Sequence, residues 1–219
     1  TLLYGVTGSG KTEVYIRCIS EALLKNKSSL ILAPEIALIP QLEERLKNQF
    51  GALVGIYHSK MIPSARYKSW QKFREGNIKI MIGTRSAVML PAPRLGLIII
   101  DEEHDASYKQ NEGFKFSARD LAIKRAQILK IPIILGSATP SLRTLKLVEE
   151  KKFNIIKLTK RITDKNPPKF SILDINETKL ISGLAPQAIQ AIGDTLKKQK
   201  QVMIFINRRG FAPQFICSY

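Results

Sequence analysis

Cysteine is nearly missing from these 219 residues: there are two, Cys18 and Cys217, far apart in the chain. They exclude a disulfide framework, and so sparse a set suits a reducing cytoplasm. Also missing is any stretch near the ~20 uninterrupted apolar residues that a membrane span requires. The longest strong run, Leu95 to Ile100, is the length of a strand. The expectation is a soluble, cytoplasmic chain without a membrane partner. No initiator Met precedes Thr1 and no basic-then-apolar leader opens the chain, which reads as a piece of a longer protein. Asn26-Lys27-Ser28 and Asn176-Glu177-Thr178 spell glycosylation acceptors that have meaning only in secreted chains. Acids are scarce as well: 18 Asp and Glu stand against 35 Lys and Arg, a net charge of +17. Such an excess fits a polyanionic partner through counterion release, although a Lys-rich surface that serves solubility accounts for it equally.

Apolar residues are plentiful, at 44%, enough for a real core. Short β-rich apolar runs alternate with longer helical stretches, the pattern of βαβ units in a mostly parallel sheet, so the predicted class is α/β. Strands are predicted near 1–5, 29–33, 52–57, 78–82, 96–100, 132–136 and 153–158, and helices near 11–25, 36–49, 63–75, 117–130 and 141–150. Ser117 begins a capping-box pattern, and Thr139 followed by Pro140 reads as a helix opening. From Lys157 to Lys169 the composition turns basic and includes Pro167-Pro168. This divides the chain into a first domain over 1–158, a stiff basic linker over 159–169, and the incomplete start of a second domain over 170–219. That second part offers strands at 171–175 and 202–206 and a helix from about 186 to 199.

Gly5-Val6-Thr7-Gly8-Ser9-Gly10-Lys11-Thr12 satisfies the Walker A pattern and lies between a predicted strand and a predicted helix. Its glycines let backbone amides face a triphosphate, the helix N-terminus adds positive potential, Lys11 reaches the outer phosphates, and Thr12 can ligand Mg²⁺. A plain Gly-rich turn is the alternative. The complementary acids follow the apolar run 97–100, fit for a central strand covered on both faces: Asp101-Glu102-Glu103-His104. Asp101 is placed to hold Mg²⁺, and Glu102 to orient and deprotonate an attacking water. The expected cofactors are therefore ATP and Mg²⁺.

An Asp-Glu-Glu-His after a Walker A loop resembles motif II of superfamily two helicases, and the other motifs appear in order. Ala33 to Leu38 resembles motif Ia, His58-Ser59 and Gly83 to Ser86 resemble motifs Ib and Ic, and Gly136 to Pro140 resembles motif III. The longer strings 5–15, 34–41, 83–87, 101–110, 136–141 and 207–213 resemble the PriA family of bacterial replication-restart DNA helicases in particular. The resemblance implies a RecA-like P-loop lobe followed by the opening of a second such lobe, and ATP-driven 3′-to-5′ translocation on single-stranded and forked DNA; the alternatives are another superfamily-two DNA translocase and a non-catalytic relic of a truncated helicase gene. It also implies primosome proteins and single-strand binding protein as partners. By resemblance, Pro34, Glu35, Ser59, Thr84 and Arg85 hold the DNA backbone, contacts that carry no sequence information. His104 with Ser137 and Thr139 would couple the nucleotide site to the DNA side, provided the strands near 96–100 and 132–136 are neighbours.

The segment 108–116 interleaves aromatics with cations. It resembles the family's aromatic-rich loop that senses DNA, with Tyr108, Lys109, Phe114 and Phe116 as candidate contacts. Anchoring of the loop on the core is the alternative for Phe114 and Phe116. Cys18, one turn from Val14 and Ala22, is expected in the core. Cys217 stands where the family's zinc-binding insertion begins. One thiolate cannot hold zinc, so none is expected in this chain, although the full-length family carries it. The family supplies its arginine finger from a part beyond these residues, so weak hydrolysis by this chain alone is expected.

Overall fold

The computed structural model describes residues 1–161, 170–176 and 178–205. It divides into two compact units, 1–165 and 166–219. In chain order the first contains β1 (Leu2–Gly5), α1 (Lys11–Leu24), β2 (Ser28–Leu32), α2 (Ile39–Phe50), β3 (Val54–Tyr57), α3 (Pro63–Arg74), β4 (Ile80–Gly83) and β5 (Leu95–Ile100). It continues with β6 (Lys109–Gln110), β7 (Phe116–Ser117), α4 (Ala118–Leu129), β8 (Ile133–Ser137), α5 (Leu142–Glu149) and β9 (Ile155–Leu158). A seven-stranded sheet runs β3-β4-β2-β5-β8-β1-β9, and each of its strand pairs is parallel. Strand β5 lies at its centre, and β6 and β7 form a separate antiparallel pair.

Burial on both faces explains why β5 and the Leu30–Leu32 end of β2 read as apolar runs. Successive side chains of a strand point to opposite faces. Leu30, Leu32, Ile98 and Ile100 accordingly join a core with Phe73, Tyr108, Ala118 and Ala122, whereas Ile31 and Ile99 join one with Tyr15, Ile19 and Leu46. Thus α3 and α4 cover one face and α1 and α2 the other. Each fully buried aliphatic side chain contributes about 1.5–3 kcal/mol. Cys18 packs half-buried against the second core. Because every strand is parallel, their carboxyl ends share one edge, and the motif-bearing loops all leave from it.

Several expectations change. Helix α5 opens at Leu142, not at Thr139-Pro140, because Ser141 is the capping residue and its Oγ accepts from the Thr144 amide at 3.3 Å. Ser117 does cap α4, accepting from the Asp120 amide at 3.2 Å. In the second unit, α6 (Pro186–Lys197) forms where a helix was expected. Residues 171–175 and 202–205 form no strand. A strand is held by ladder hydrogen bonds to a neighbour, and the bridge described there joins only Ile181 and Leu184. Residues 162–169 of the expected linker, the segment 207–213 and Cys217 lie outside the described residues.

Candidate active site

At the end of β1 the chain turns through Gly8 (φ 78°) and Gly10 (φ 88°), left-handed geometry that suits glycine, and enters α1. A side-chain carbon on Gly5 would meet Ser9 Oγ at 2.4 Å, so the loop closes tightly over its own strand. Lys11 Nζ donates to the Gly5 carbonyl at 2.9 Å and lies 3.6 Å from Glu102 Oε1. Lys11, Thr12, Asp101 and Glu102 line one cavity of about 590 Å³ with the loop 6–10. The cradle and the acids, 90 residues apart in sequence, therefore share one space. Two side chains that the motifs do not mark, Gln41 and Arg45 of α2, stand one turn apart in its wall.

Asp101 is the better buried of the two acids, and loss of water pushes its carboxyl above the ordinary range. The Tyr15 hydroxyl donates to Asp101 Oδ1 at 2.8 Å and draws that value down, as does the Lys11 charge, while Glu102 pushes it up. Tyr15 is fully buried, and its own pKa lies well above that of a free phenol, first through burial and then through the Asp101 charge, so it remains a donor. Opposite it, Gly136 leaves the space the ring needs: a side-chain carbon there would fall 1.7 Å from the hydroxyl.

Strands β5 and β8 are neighbours, and this brings His104 to the start of the next loop. His104 Nδ1 is hydrogen-bonded to Ser137 Oγ at 2.8 Å and Nε2 to Thr139 Oγ1 at 3.2 Å, while Nδ1 lies 3.7 Å from Glu102 Oε2. A continuous polar path therefore runs from Glu102 through the imidazole to Ser137 and Thr139.

Glu103, unassigned by the motifs, is buried with Arg119, whose Nε approaches its Oε2 at 2.8 Å as an ion pair rather than an aligned hydrogen bond. Its carboxylate also accepts from the Ser141 amide at 2.7 Å and from Thr144 Oγ1 at 2.9 Å, and Arg119 Nη2 donates to the same Thr144 oxygen. The acidic motif is thereby fastened to α4 and α5. A third carboxylate beside two with evident work was the available signal, but its partners lie too far along the chain for spacing to reveal.

Of the candidate DNA contacts, Glu35, Ser59 and Arg85 are exposed and Thr84 is half-buried, in the loops after β2, β3 and β4. Arg85 Nη1 donates to the carbonyls of Ser107 at 3.4 Å and Lys109 at 3.3 Å. Two candidates lie inside the fold rather than on its surface. Pro34 is buried, and its carbonyl accepts from Ser107 Oγ at 2.8 Å. Tyr108 is only 2% exposed, and its hydroxyl sits 2.9 Å from the Leu32 carbonyl and 2.6 Å from that of Asp101. A phenol occupied in closing the ends of β2 and β5 has no ring face for a base. Phe116 packs against the core, Lys109 is exposed, and Phe114 is 72% exposed with its ring 5.8 Å from that of Phe116. Anchoring thus falls to Phe116 and exposure to Phe114.

Residues 1–148 match the model of the DEAD/DEAH box helicase family. The chain is 42% identical to the replication restart protein PriA of Haemophilus influenzae over 99% of its own length and 30% of that protein's. To the PriA of Bacillus subtilis it is 37% identical, over 99% and 27%. It spans about a third or less of the length of these relatives. Among solved structures, RecG bound to a three-way DNA junction aligns with TM-score 0.53 and 26% identity over 76% of this chain and 21% of that one. The Pyrococcus furiosus Hef helicase domain aligns at 0.52 and 22% over 72% of this chain and 34% of that one, a likeness of fold. The parallel sheet is thus that of a RecA-like helicase lobe. With its P-loop and its Asp-Glu-Glu-His both inside the matched stretch, the chain belongs to the DEAD/DEAH box helicase family, and it is PriA-like along almost all of its length.

Proposed function

We propose that this chain is the ATP-binding lobe of a replication-restart DNA helicase of PriA type. Such an enzyme hydrolyses ATP to move 3′-to-5′ along single-stranded and forked DNA in the bacterial cytoplasm, with primosome proteins and single-strand binding protein as partners. The observation that carries the reading is the 3.6 Å approach of Lys11 Nζ to Glu102 Oε1 across a cavity framed by the P-loop.

The loop amides at the start of α1 would receive the phosphates, and Lys11 would exchange its Gly5 carbonyl for a phosphate oxygen. Buried Ser9 Oγ, which has no hydrogen-bond partner among the described residues, is a polar atom left over for a ligand. Magnesium takes few protein ligands and keeps phosphate oxygens and water, so Thr12 and Asp101 fit it; when bound, it neutralises charge on the phosphates. Glu102 then holds the attacking water and accepts its proton. His104 ties that carboxylate to Ser137 and Thr139, through which the state of the nucleotide site reaches the loops at the DNA side. Glu35, Ser59, Thr84, Arg85, Lys109 and Phe114 form the proposed DNA rim.

Two variants separate the roles. Lys11→Ala is expected to abolish ATP binding in titration calorimetry. Glu102→Gln is expected to keep binding and stop phosphate release. Equal loss of binding in both would show that the roles are wrongly divided.

A further inference from the structure

From Arg45 through Arg74 the chain contains no Asp or Glu, and within that stretch Lys60, Arg66, Lys68, Lys72 and Arg74 crowd onto α3 and the turn before it. None of the five pairs with a carboxylate among the described residues. Glu75, the nearest acid, instead accepts from Gln71 at 2.8 Å and Asn77 at 3.1 Å. A basic helix face by itself is commonly only a solvated surface. This one also carries ordered aromatic rings.

Phe73 and Ser69 turn inward, Ser69 Oγ donating to the Ile56 carbonyl at 2.6 Å, and this orients the opposite face outward. There the exposed Tyr67 ring lies 5.6 Å from that of Trp70, which packs half-buried against the core with the Arg74 guanidinium 4.9 Å over it. Arg66 lies 5.1 Å over the Tyr57 ring and donates to its hydroxyl at 3.1 Å. Guanidinium contacts hold the Tyr57 and Trp70 rings, and Tyr67 lies against the second of these, which lowers the entropy lost when something stacks on it. Tyr67 is 61% exposed, so a ring face is open. The helix also starts at the correct place: β3 ends at Tyr57, exposed Ser59 follows, and α3 begins at Pro63 at the sheet's carboxyl edge.

We propose that the outer face of α3 is a second single-stranded DNA contact that extends the rim beyond the edge strand, with Lys68 and Lys72 on phosphates and a base stacked on Tyr67. Cations that neutralise phosphates beside rings that accept any base form the recognised pairing for sequence-blind binding of single strands. An acidic polypeptide would use the charges but leave the ring face without a partner. The inference rests on the reading of the carboxyl edge as the DNA side.

The test uses the 219-residue chain and a fluorescein-labelled oligothymidylate, with binding followed by anisotropy across a salt series. Lys68→Gln with Lys72→Gln should weaken binding and flatten the slope of log K against log salt by about 1.4, ~0.7 for each lost phosphate contact. Tyr67→Ala should weaken binding about fivefold or more, and Tyr67→Phe should restore it, which a merely structural tyrosine would not require. Emission of Trp70, the chain's single tryptophan, should be quenched by the oligonucleotide. Wild-type binding in the α3 variants, with Arg85→Ala still weakened, overturns this proposal alone. Absence of oligothymidylate binding by the wild type overturns it together with the assignment of the rim. Displacement of the oligonucleotide by polyglutamate at equal charge assigns the face to an acidic protein and overturns it as well.

Discussion

Asp101 works against the stability of the unliganded fold. Burial raises its pKa above the ordinary carboxylate value, so the folded protein holds that proton more firmly than the unfolded chain does. Its contribution is neutral in strong acid, and stability falls as pH rises through the window between the ordinary and the raised value. Asp101→Asn is therefore expected to raise the melting temperature at neutral pH, with the gap closing in acid, while magnesium-dependent ATP binding is lost. Thermal unfolding across pH beside an ATP titration checks both; a lower melting temperature at neutral pH would contradict the argument. Asp101 and Lys11 were legible in the sequence because their chemistry is written in short local patterns. Tyr15 was not, since its hydroxyl meets an oxygen 86 residues away. Tyr108 shows the opposite failure: an aromatic among cations reads identically whether its ring faces DNA or its hydroxyl closes two strand ends.

Helices α4 and α5 meet the acidic motif through a single carboxylate. Glu103 takes an arginine from α4 and both an amide and a hydroxyl from the start of α5, all away from water. Removal of one partner of such a set leaves an uncompensated buried charge. Glu103→Ala is expected to cost about 3–5 kcal/mol in urea unfolding. Glu103→Leu paired with Arg119→Met should cost distinctly less, because no stranded charge remains; an additive loss would argue against this account. The helices of the first unit and the strands of its seven-stranded sheet were legible from periodicity and caps to within a few residues, whereas the short β6–β7 pair was not expected. The opening of α5 was displaced because Ser141, with Glu103 on its amide, outcompetes the Thr-Pro pair upstream. The strands expected near 171–175 and 202–206 rested on short β-rich runs, which cannot supply the neighbour that holds a strand, and residues 171–175 and 202–205 form none.

Across the whole first unit, the strand order sets the candidate groups along one common edge. The P-loop leaves β1, the acids leave central β5, and the exposed rim residues leave β2, β3 and β4 on the far side. Phosphate chemistry needs an arginine finger at its transition state, and the family resemblance assigns that role to the second lobe rather than to Arg45 of the cavity wall. The 219-residue chain is accordingly expected to bind ATP weakly and hydrolyse it poorly alone, at a rate little changed by single-stranded DNA, as measured by phosphate release. Robust DNA-stimulated turnover would overturn this.

The bare α-carbon at 136 has a historical corollary. Any methyl there evicts the phenol at 15, and with it the proton donated to the Asp101 carboxylate, so position 136 cannot gain a side chain while that phenol remains. Across divergent sequences a tyrosine at 15 ought to occur only beside a glycine at 136.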